Sequence, residues 1–461
     1  MPREGILIKN PLERISYDQV KQIHAVSLKI LSDTGLLCFN KKASEVFLSH
    51  GAAVDSVQGS GSPCWHIKIP QKMVMDALAS APKTVKLGAR NEDNILIMKG
   101  DEPRVFLITG SETNICLDVK FDTYTSKSDP SREVRLPEFT PRRGMLADLC
   151  DSAHVCEHLE TVDGYIRTIN IQDKDITEEN KDVNKFFASL NNTTKHFMSG
   201  LTNIRQLDNV VRLAEIIAGG KEKLRQNPII SFITCLVKSP LQFVDDTTET
   251  FMEVCRRGLP AVVSSSPQAG TSSPIREAGI MAQINAEVLA GITLGQLVNK
   301  GAPLLYGTVP VRARMDTLGD SYGSVETSQY HIDCVQMARF YKLPNYSTSG
   351  VCDPKIPGQQ SSIERLFSNI LVALSGPQFL HCAFGLLDCN SVFCLLQAVL
   401  DDAHFKMLKF FLRSPQIDEQ VMDEMQKQIR DVLATPQKMF INYIRPVMRS
   451  GEISPAYPFE G

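Results

Sequence analysis

The residues whose chemistry stands out in this chain are aromatic, cationic and polar side chains near the ends of short apolar segments. Aromatic ring faces bind a quaternary ammonium, which has no N–H to donate, through cation–π contacts. An arginine binds a carboxylate through two parallel hydrogen bonds. A site that combines both would fit a betaine. The candidate substrate-binding residues are Tyr165, Tyr306, Arg312, Gln360, His381 and Phe384, and Tyr322 and Arg314 belong to the same aromatic and cationic set.

Each of these residues also has a structural interpretation that involves no ligand. Tyr306 can be a core residue, Arg312 a solvated or interfacial one, and His381 a hydrogen-bonded core histidine. Asn285 and Glu287, inside a long apolar segment, are predicted to be buried polar groups that tie a helix to a loop, because buried polar atoms need partners. These patterns single out no acid, base or nucleophile, so the catalytic residues stay unassigned.

Several familiar catalytic and cofactor motifs are missing from the sequence. It contains no HExxH, CxxC, GxGxxG or Walker motif, so neither a zinc-protease site nor a nucleotide site is predicted. One GxSxG occurs at 319–323, but it follows a polar segment and not an apolar strand, which favours a flexible loop over a nucleophile elbow. Two Cys/His groupings, 150–156 and 381–389, are interpreted as small buried residues, so no metal site is predicted.

The elements that must position the candidate residues alternate between short apolar strands and longer helices. The predicted strands are 105–109, 161–166, 196–200, 229–234, 261–265, 304–308, 345–349 and 379–384. The predicted helices are 139–158, 182–190, 206–218, 240–257, 275–299, 324–341 and 361–374, with further helices near 391–399 and 418–435. This alternation predicts an α/β fold of the TIM (β/α)₈ barrel type, in which the carboxyl ends of the strands build the site.

Three regions are predicted along the chain. Residues 1–100 are expected to form an N-terminal, mainly helical extension. Residues 101–415 are expected to form the barrel, with a β-rich insertion near 115–137. Residues 416–461 are expected to form a C-terminal helix and tail.

Composition narrows the class of protein. Hydrophobic residues make up 43% of the chain and charged residues 22%, as in ordinary globular proteins. The net charge of -3 argues against a nucleic-acid binder, which usually carries a basic surplus. The sequence shows neither a membrane-spanning apolar run nor an apolar signal core, and its 12 cysteines form no CxxC, so we expect a cytoplasmic protein with reduced thiols.

Long blocks of the sequence resemble one known family. The segment 274–308, with NAEVLAGITLGQLVNKGAPLLYG, resembles the trimethylamine methyltransferase family. IHAVSLKILSDTGLLCFNKKASEVFLSHGAAVD, IPQKMVMDALASAPKTVKLGARN, GVCDPKIPGQQSSIE and SGPQFLHCAFGLLD are similar to further blocks of that family. The resemblance spans nearly the whole chain. It implies a TIM barrel that transfers a methyl group from a methylated amine to the cobalt of a separate corrinoid protein, in methanogenic or acetogenic one-carbon metabolism.

One departure from the family pattern bears on the substrate. The trimethylamine enzymes carry a pyrrolysine in the site, whereas this sequence contains only the twenty standard residues. The resemblance therefore implies a quaternary amine such as glycine betaine, proline betaine, carnitine or γ-butyrobetaine. The chain would bind no cofactor tightly, because cobalamin belongs to the partner protein. A homo-oligomer is expected because most soluble oligomers are symmetric assemblies of one chain.

Other functions stay open at this point. A non-catalytic betaine-binding paralogue would carry the same residues and would bind ligand without demethylation. A methyltransferase for trimethylamine or another methylamine would share the family pattern. A metal-dependent methyltransferase or a decarboxylase on the same barrel would contain stoichiometric zinc, which would revive the Cys/His groupings.

Overall fold

The computed structural model describes residues 2–57, 63–415 and 417–450. The chain divides into two compact units, Met1–Asp401 and Asp402–Gly461. The part of the predicted tail at 451–461 lies outside the described residues.

The first hundred residues combine three helices with short strands. The first helix begins with a capping box, in which the backbone N–H of Gln19 donates to Ser16 Oγ and the backbone N–H of Ser16 donates to Gln19 Oε1. The elements are β1 (Ile6–Leu7), α1 (Tyr17–Lys29), β2 (Leu36–Cys38), α2 (Lys41–Ser49), β3 (Ala53–Val57), β4 (Cys64–Lys68), α3 (Gln71–Ser80), β5 (Thr84–Leu87) and β6 (Leu96–Lys99).

Strands and helices then alternate along the chain. In order they are β7 (Arg104–Leu107), β8 (Ile115–Thr125), β9 (Glu133–Arg143), α4 (Leu146–His158), β10 (Gly164–Ile166), α5 (Lys181–Asn192), β11 (His196–Ser199), α6 (Leu207–Ala218), α7 (Lys221–Gln226), β12 (Ile230–Thr234), β13 (Val237–Lys238), β14 (Gln242–Phe243), α8 (Asp245–Arg256), β15 (Ala261–Ser265), β16 (Gln268–Ala269), α9 (Glu277–Val298), β17 (Leu304–Thr308), β18 (Val311–Ala313), β19 (Asp320–Ser321), α10 (Val325–Phe340), β20 (Asn345–Thr348), α11 (Gln359–Leu374), β21 (Phe379–His381), β22 (Leu386–Leu387), β23 (Val392–Phe393) and α12 (Leu395–Phe411). The second unit adds α13 (Glu419–Leu433) and α14 (Ile441–Ser450).

The main sheet is curled and nearly all parallel. Its strand order is β1-β7-β21-β20-β17-β15-β12-β11-β10, and only β1 pairs antiparallel. Each of the eight predicted strands overlaps one of its parallel strands. A parallel bridge joins Ile108, which follows β7, to Gly164 in β10, the strand at the far end of the order. The described fold is therefore an α/β fold with a curled sheet, in which a single bridge links the strands at the two ends of the parallel order.

Side chains of the parallel strands and of the β5–β6 hairpin together fill the interior of the curled sheet. Side chains of the parallel strands, including Ile166, Leu305 and Tyr346, form one cluster with Val85 and Leu96 of the β5–β6 hairpin. In a strand, neighbouring side chains point to opposite faces. Residues next to the interior ones, one position away along a strand, therefore face the surrounding helices.

Helix α9 is buried on all sides. Every residue from Ile280 to Gln296 is buried, because the helix lies between β15 and β17 on one side and helices of the first hundred residues on the other. A Cβ on Gly291 would lie 2.4 Å from Val263 Cγ1, and one on Gly295 would lie 2.5 Å from Leu304 Cδ1, so glycine permits this close packing. Among the described residues α9 alone is long and apolar enough to cross a membrane. However, 89% of its apolar 18-residue stretch is buried inside the protein.

The β8–β9 hairpin differs from the sequence prediction. The expected helix at 139–158 begins only at Leu146, because Glu133–Arg143 pairs with Ile115–Thr125 over eleven residues. Most side chains of β9 are exposed. The hairpin covers the β-rich insertion predicted near 115–137 and extends past it, and the exposed residues of β9 show no apolar stripe that would have extended the predicted strand.

Candidate functional site

A polar cavity lies where the parallel strands end. It has a volume of about 460 Å³ and is lined by residues at or just beyond the carboxyl ends of the eight parallel strands, together with two threonines of α8. Its polar lining residues are Ser111, Glu112, Arg167, Thr234, Cys235, Thr247, Thr250, Ser264, Ser266, Tyr322, Tyr346, His381 and Asn390. This is the end of a parallel α/β sheet at which ligands bind.

Two other cavities are comparable in size but lie elsewhere. One of about 560 Å³ borders α3 and the end of α9, and one of about 730 Å³ is a largely apolar groove between α1 and the start of α9. Neither lining includes a carboxyl end of a parallel strand of the main sheet. Position and polar lining therefore make the strand-end cavity the candidate active site.

One wall of the cavity carries an ion network. Arg167 Nη2 lies 2.5 Å from Glu112 Oε2, and Lys185 Nζ lies 3.8 Å from Glu112 Oε1 and 2.8 Å from Asp182 Oδ1. Burial by itself would raise the pKa of Glu112, but Arg167 and Lys185 outweigh it and lower that pKa to about 2. The network thus presents one ionised carboxylate and one guanidinium to the cavity.

A neighbouring part of the lining is aromatic. The ring of Tyr346 stacks on Phe379 at a centroid distance of 5.3 Å and on His381 at 4.7 Å. Burial, followed by repulsion from Arg167 and His331, lowers the pKa of His381 to about 3, so its imidazole is neutral at physiological pH. A neutral imidazole stacked on a phenol adds ring surface without a positive charge that would repel a cation.

Glycine makes room for this imidazole. A Cβ on Gly110 would lie 2.5 Å from His381 Nε2, and the φ of +138° at Gly110 is one that other residues rarely adopt. His381 Nδ1 lies 3.1 Å from Thr348 Oγ1, which fixes the ring plane. The loop after β7 and the ends of β20 and β21 therefore position His381 together.

Four cavity-lining residues each carry a buried polar atom that has no hydrogen-bond partner among the described residues. These atoms are Arg167 Nε, Thr247 Oγ1, Tyr346 Oη and Asn390 Oδ1. Buried polar atoms in folded proteins are nearly always paired, with a ligand or water where protein groups are lacking. Their concentration around one cavity indicates a binding site for a polar molecule.

The loop at 319–323 places a second tyrosine over the cavity. Asp353 accepts hydrogen bonds from Ser321 Oγ and from the backbone N–H of Gly323, both at 3.0 Å. A Cβ on Gly323 would meet the Glu364 carboxylate at 2.3 Å, so this position needs glycine. The loop predicted to be flexible is thus held on both sides of Tyr322.

A buried glutamate supports the strand ends from behind. Glu287 of α9 accepts hydrogen bonds from Ser239 Oγ at 2.8 Å, from the backbone N–H of Leu241 at 2.9 Å, from Gln283 Nε2 at 3.0 Å and from Ser265 Oγ. Burial raises the pKa of Glu287. Because Ser265 lies between two cavity-lining serines, this carboxyl group fixes the end of β15.

Two predicted site residues lie on the outer face of the sheet. Tyr165 precedes the interior residue Ile166, and its hydroxyl lies 2.7 Å from Ser152 Oγ in α4. Tyr306 follows the interior residue Leu305, and its hydroxyl donates to Asn285 Oδ1 in α9 at 2.8 Å. Both phenols are buried in the strand–helix layer and are not part of the cavity lining.

Three further predicted residues also lie outside the cavity lining. Arg312 Nη1 lies 3.2 Å from Glu326 Oε1, and Gln360 Nε2 donates to Glu364 Oε1 at 2.6 Å on an exposed part of α11. Phe384 is fully buried beyond β21. Of the six predicted binding residues, His381 is the one that lines the cavity.

The sequence places Arg167 at the end of the second predicted strand, but Arg167 was not selected as a binding residue, and Glu112 and Tyr346 were overlooked. Tyr346 is the one aromatic residue in the strand Asn345–Thr348, whose other members are polar, and that contrast was a usable signal. Glu112 and Arg167 follow two different strands, so only their strand-end position could have paired them.

The described residues contain no group of three or more His, Cys, Asp or Glu side chains placed to share a metal ion. In the two groupings considered from the sequence, the rings of His154 and His158 meet edge to face at a centroid distance of 4.7 Å, and Cys389 Sγ donates to Asp353 Oδ1 at 3.4 Å.

Comparison with known proteins identifies the family. The chain matches the family model described as trimethylamine methyltransferase (MTTB) over residues 6–436. A trimethylamine methyltransferase of Desulfitobacterium hafniense strain DCB-2 is 32% identical over 398 residues, which cover 86% of this chain and 74% of that protein. One from Methanosarcina mazei is 28% identical over 417 residues, covering 89% and 78%. A glycine betaine methyltransferase of Desulfitobacterium hafniense strain Y51 is 26% identical over 418 residues, covering 88% and 79%.

These matches run through both the first hundred residues and the strands that build the cavity. Since the family model covers far more than half of the chain, the chain belongs to the trimethylamine methyltransferase family, whose members are corrinoid-dependent methyltransferases.

Proposed function

We propose that this protein transfers a methyl group from a quaternary amine to the cobalt of a corrinoid carried by a separate protein. One relative is named for trimethylamine and another for glycine betaine, so family membership alone does not identify the methylated amine. The observation that favours a quaternary amine is the ionisation state of the cavity lining.

No ionisable group among the described lining residues has a pKa near neutrality. Glu112 has a pKa of about 2 and His381 one of about 3, while burial raises the pKa of Tyr322 and Tyr346. A general acid works best when its pKa is close to the operating pH. The site is therefore poorly equipped to protonate a departing amine.

A quaternary amine needs no such proton. When its methyl group leaves the nitrogen, the bonding electron pair stays on the nitrogen and the product is a neutral tertiary amine. The work left to this chain is to hold the methyl group in line with the acceptor and to keep water out. A cavity without a titrating acid is sufficient for that reaction.

The two parts of the cavity lining suit the two ends of a betaine. Tyr322 and Tyr346 line the cavity with aromatic rings that can contact the ammonium, and neutral His381 does not repel it. Arg167 Nε has no partner among the described residues and offers an N–H to a carboxylate. Glycine betaine, proline betaine, carnitine and γ-butyrobetaine all carry both groups.

The corrinoid is bound by the partner protein and not inside this chain. A cavity of about 460 Å³ accepts a small amine but not a corrinoid macrocycle in addition. When the partner docks, its reduced cobalt supplies the nucleophile. We accordingly propose a cytoplasmic enzyme that binds no cofactor tightly itself, does not engage nucleic acid or membrane, and forms a homo-oligomer.

The proposal includes closure of the sheet into a TIM (β/α)₈ barrel. The Ile108–Gly164 bridge and the 3.5 Å hydrogen bond from Thr109 N–H to the Gly164 carbonyl join the strands at the two ends of the parallel order. Eight parallel strands around one interior cluster agree with that architecture. We propose that residues 1–100 form the N-terminal extension, residues 101–415 the barrel and residues 416–461 the C-terminal helix and tail.

The test is an assay of the purified protein with Co(I) cobalamin and a panel of the four betaines, choline and trimethylamine. We expect methylcobalamin and the demethylated amine from at least one quaternary amine. Turnover of trimethylamine alone would contradict the proposed substrate class. Tight binding without turnover would instead identify a non-catalytic betaine-binding protein.

A matched pair of variants ties activity to the cavity. Tyr346→Leu removes a ring from the cavity, whereas Tyr124→Leu removes one from the exposed part of β8. Loss of turnover in the first variant alone supports the proposed site. Equal turnover in both variants would place the reaction elsewhere.

A further inference from the structure

Helix α13 of the second unit carries an exposed apolar stripe. Met422, Met425, Ile429 and Leu433 are exposed by 57%, 39%, 51% and 63%. Spacings of three and four residues place these side chains on one face of a helix. Such a stripe on a soluble protein usually marks a surface that another element covers.

The charges beside the stripe are ordered along the helix. Glu419, Asp423, Gln426 and Arg430 follow each other at spacings of four, three and four residues, so they line one flank of the stripe. Acidic groups occupy its first half, an amide its middle and an arginine its second half. Within the described residues, Asp423 and Arg430 form no ion pair, so both charges are available to another chain.

We propose that a second copy of this chain docks on the stripe, with α13 packed antiparallel against α13 of that copy. A two-fold axis passing near Gln426 places the same flank of both helices side by side in opposite directions. Arg430, four residues after Gln426, then lies opposite Asp423 of the other copy, three residues before it. The surface is complementary to itself, as a two-fold interface requires.

The exposed apolar surface is large enough for such an interface. Ten large apolar side chains between Phe411 and Ile444 are exposed by 39–75% in the described part of the second unit. A stable interface buries on the order of 800 Å² per partner, and ten half-exposed side chains of 150–250 Å² reach about that area.

The first test is the mass of the full-length protein in solution, measured by light scattering after size exclusion. We expect an even-numbered oligomer. Met425→Glu/Ile429→Glu should halve the measured mass, whereas Ile216→Glu and Ile363→Glu, at apolar side chains exposed by 64% and 69% on other helices, should leave it unchanged. A monomeric wild-type protein, or equal effects of all these variants, would overturn the proposal.

A charge exchange tests the antiparallel pairing itself. Asp423→Arg and Arg430→Asp should each weaken self-association about tenfold or more, because like charges then face each other twice per dimer. The double variant Asp423→Arg/Arg430→Asp should restore it. Failure of this rescue would refute the antiparallel pairing.

Two other occupants of the stripe give different results. If the stripe packs within its own chain, the protein is monomeric and Met425→Glu/Ile429→Glu lowers its unfolding temperature. If the corrinoid protein covers it, the free protein is monomeric and the same variant abolishes that complex. Either result contradicts docking of a second copy.

Discussion

Tyr306 and Tyr346 lie on two neighbouring strands of one sheet, and both are fully buried, but their hydroxyl groups differ. The hydroxyl of Tyr306 is paired with Asn285 in the helix layer, whereas that of Tyr346 has no partner among the described residues and belongs to the cavity lining. The same contrast separates Glu287, which accepts four hydrogen bonds, from the unpartnered Arg167 Nε. Paired polar groups hold the architecture together, and the unpaired ones that line the cavity are the groups a bound ligand would satisfy.

The largest expected effect on stability comes from removing a side chain whose hydrogen bonds connect a helix to the strand ends. Glu287→Ala should lower the free energy of unfolding by about 3 kcal/mol or more, because it leaves several buried donors without an acceptor. Glu287→Gln should cost less, since the amide oxygen still accepts. Urea unfolding at neutral pH measures both, and an Ala variant as stable as wild type would contradict the supporting role of this carboxyl group.

Acid should weaken the ion network of the cavity wall. The folded-state pKa of Glu112 is lowered to about 2 from an ordinary 4.5, so its contribution to stability is present above pH 4.5 and is lost as the pH falls toward 2. The shift corresponds to at most about 3 kcal/mol. Urea unfolding between pH 7 and pH 3 should show this loss, and Glu112→Gln should remove that part of the pH dependence.

The tyrosine pair separates binding from architecture directly. Tyr346→Leu should lower kcat/KM for a quaternary amine about 30-fold, because it removes an aromatic contact worth about 2 kcal/mol together with the unpartnered hydroxyl. Tyr346→Phe keeps the ring but loses the hydroxyl, so it should lower kcat/KM less than Tyr346→Leu does. Tyr306→Phe should instead lower the free energy of unfolding by about 1 kcal/mol and leave kcat/KM within about twofold. Equal changes in kcat/KM for the Tyr346 and Tyr306 variants would contradict the assignment of Tyr346 to binding and of Tyr306 to the architecture.

The smallest effects should come from a comparison of two arginines. Arg167→Gln should raise KM about tenfold for betaines and leave choline, which has no carboxylate, nearly unchanged. Arg312→Gln removes an exposed ion pair with Glu326 and should change stability by less than about 1 kcal/mol and KM by less than about twofold. A betaine-specific defect in the Arg312 variant would restore that residue as the carboxylate ligand.

The sequence predicted the strands far better than the direction of their side chains. Runs such as Leu304–Thr308 are buried at every position because both faces of a parallel strand are covered, so no alternation of apolar and polar residues shows which face is interior. For that reason Tyr306 could not be separated from Leu305. Tyr346, flanked by polar residues, was the more informative position. Glu112 and Arg167 meet only after folding, so their pairing had no local pattern.

The β5–β6 hairpin fills the interior of a sheet whose last parallel strand, Phe379–His381, lies almost three hundred residues further along the chain. During synthesis the hairpin leaves the ribosome well before that strand exists. Its apolar residues stay exposed to solvent while the intervening strands are synthesised. These residues are Val85, Leu87, Leu96 and Met98. Early-exposed apolar surface of this kind promotes aggregation. Shielding of this short stretch during synthesis would therefore limit aggregation.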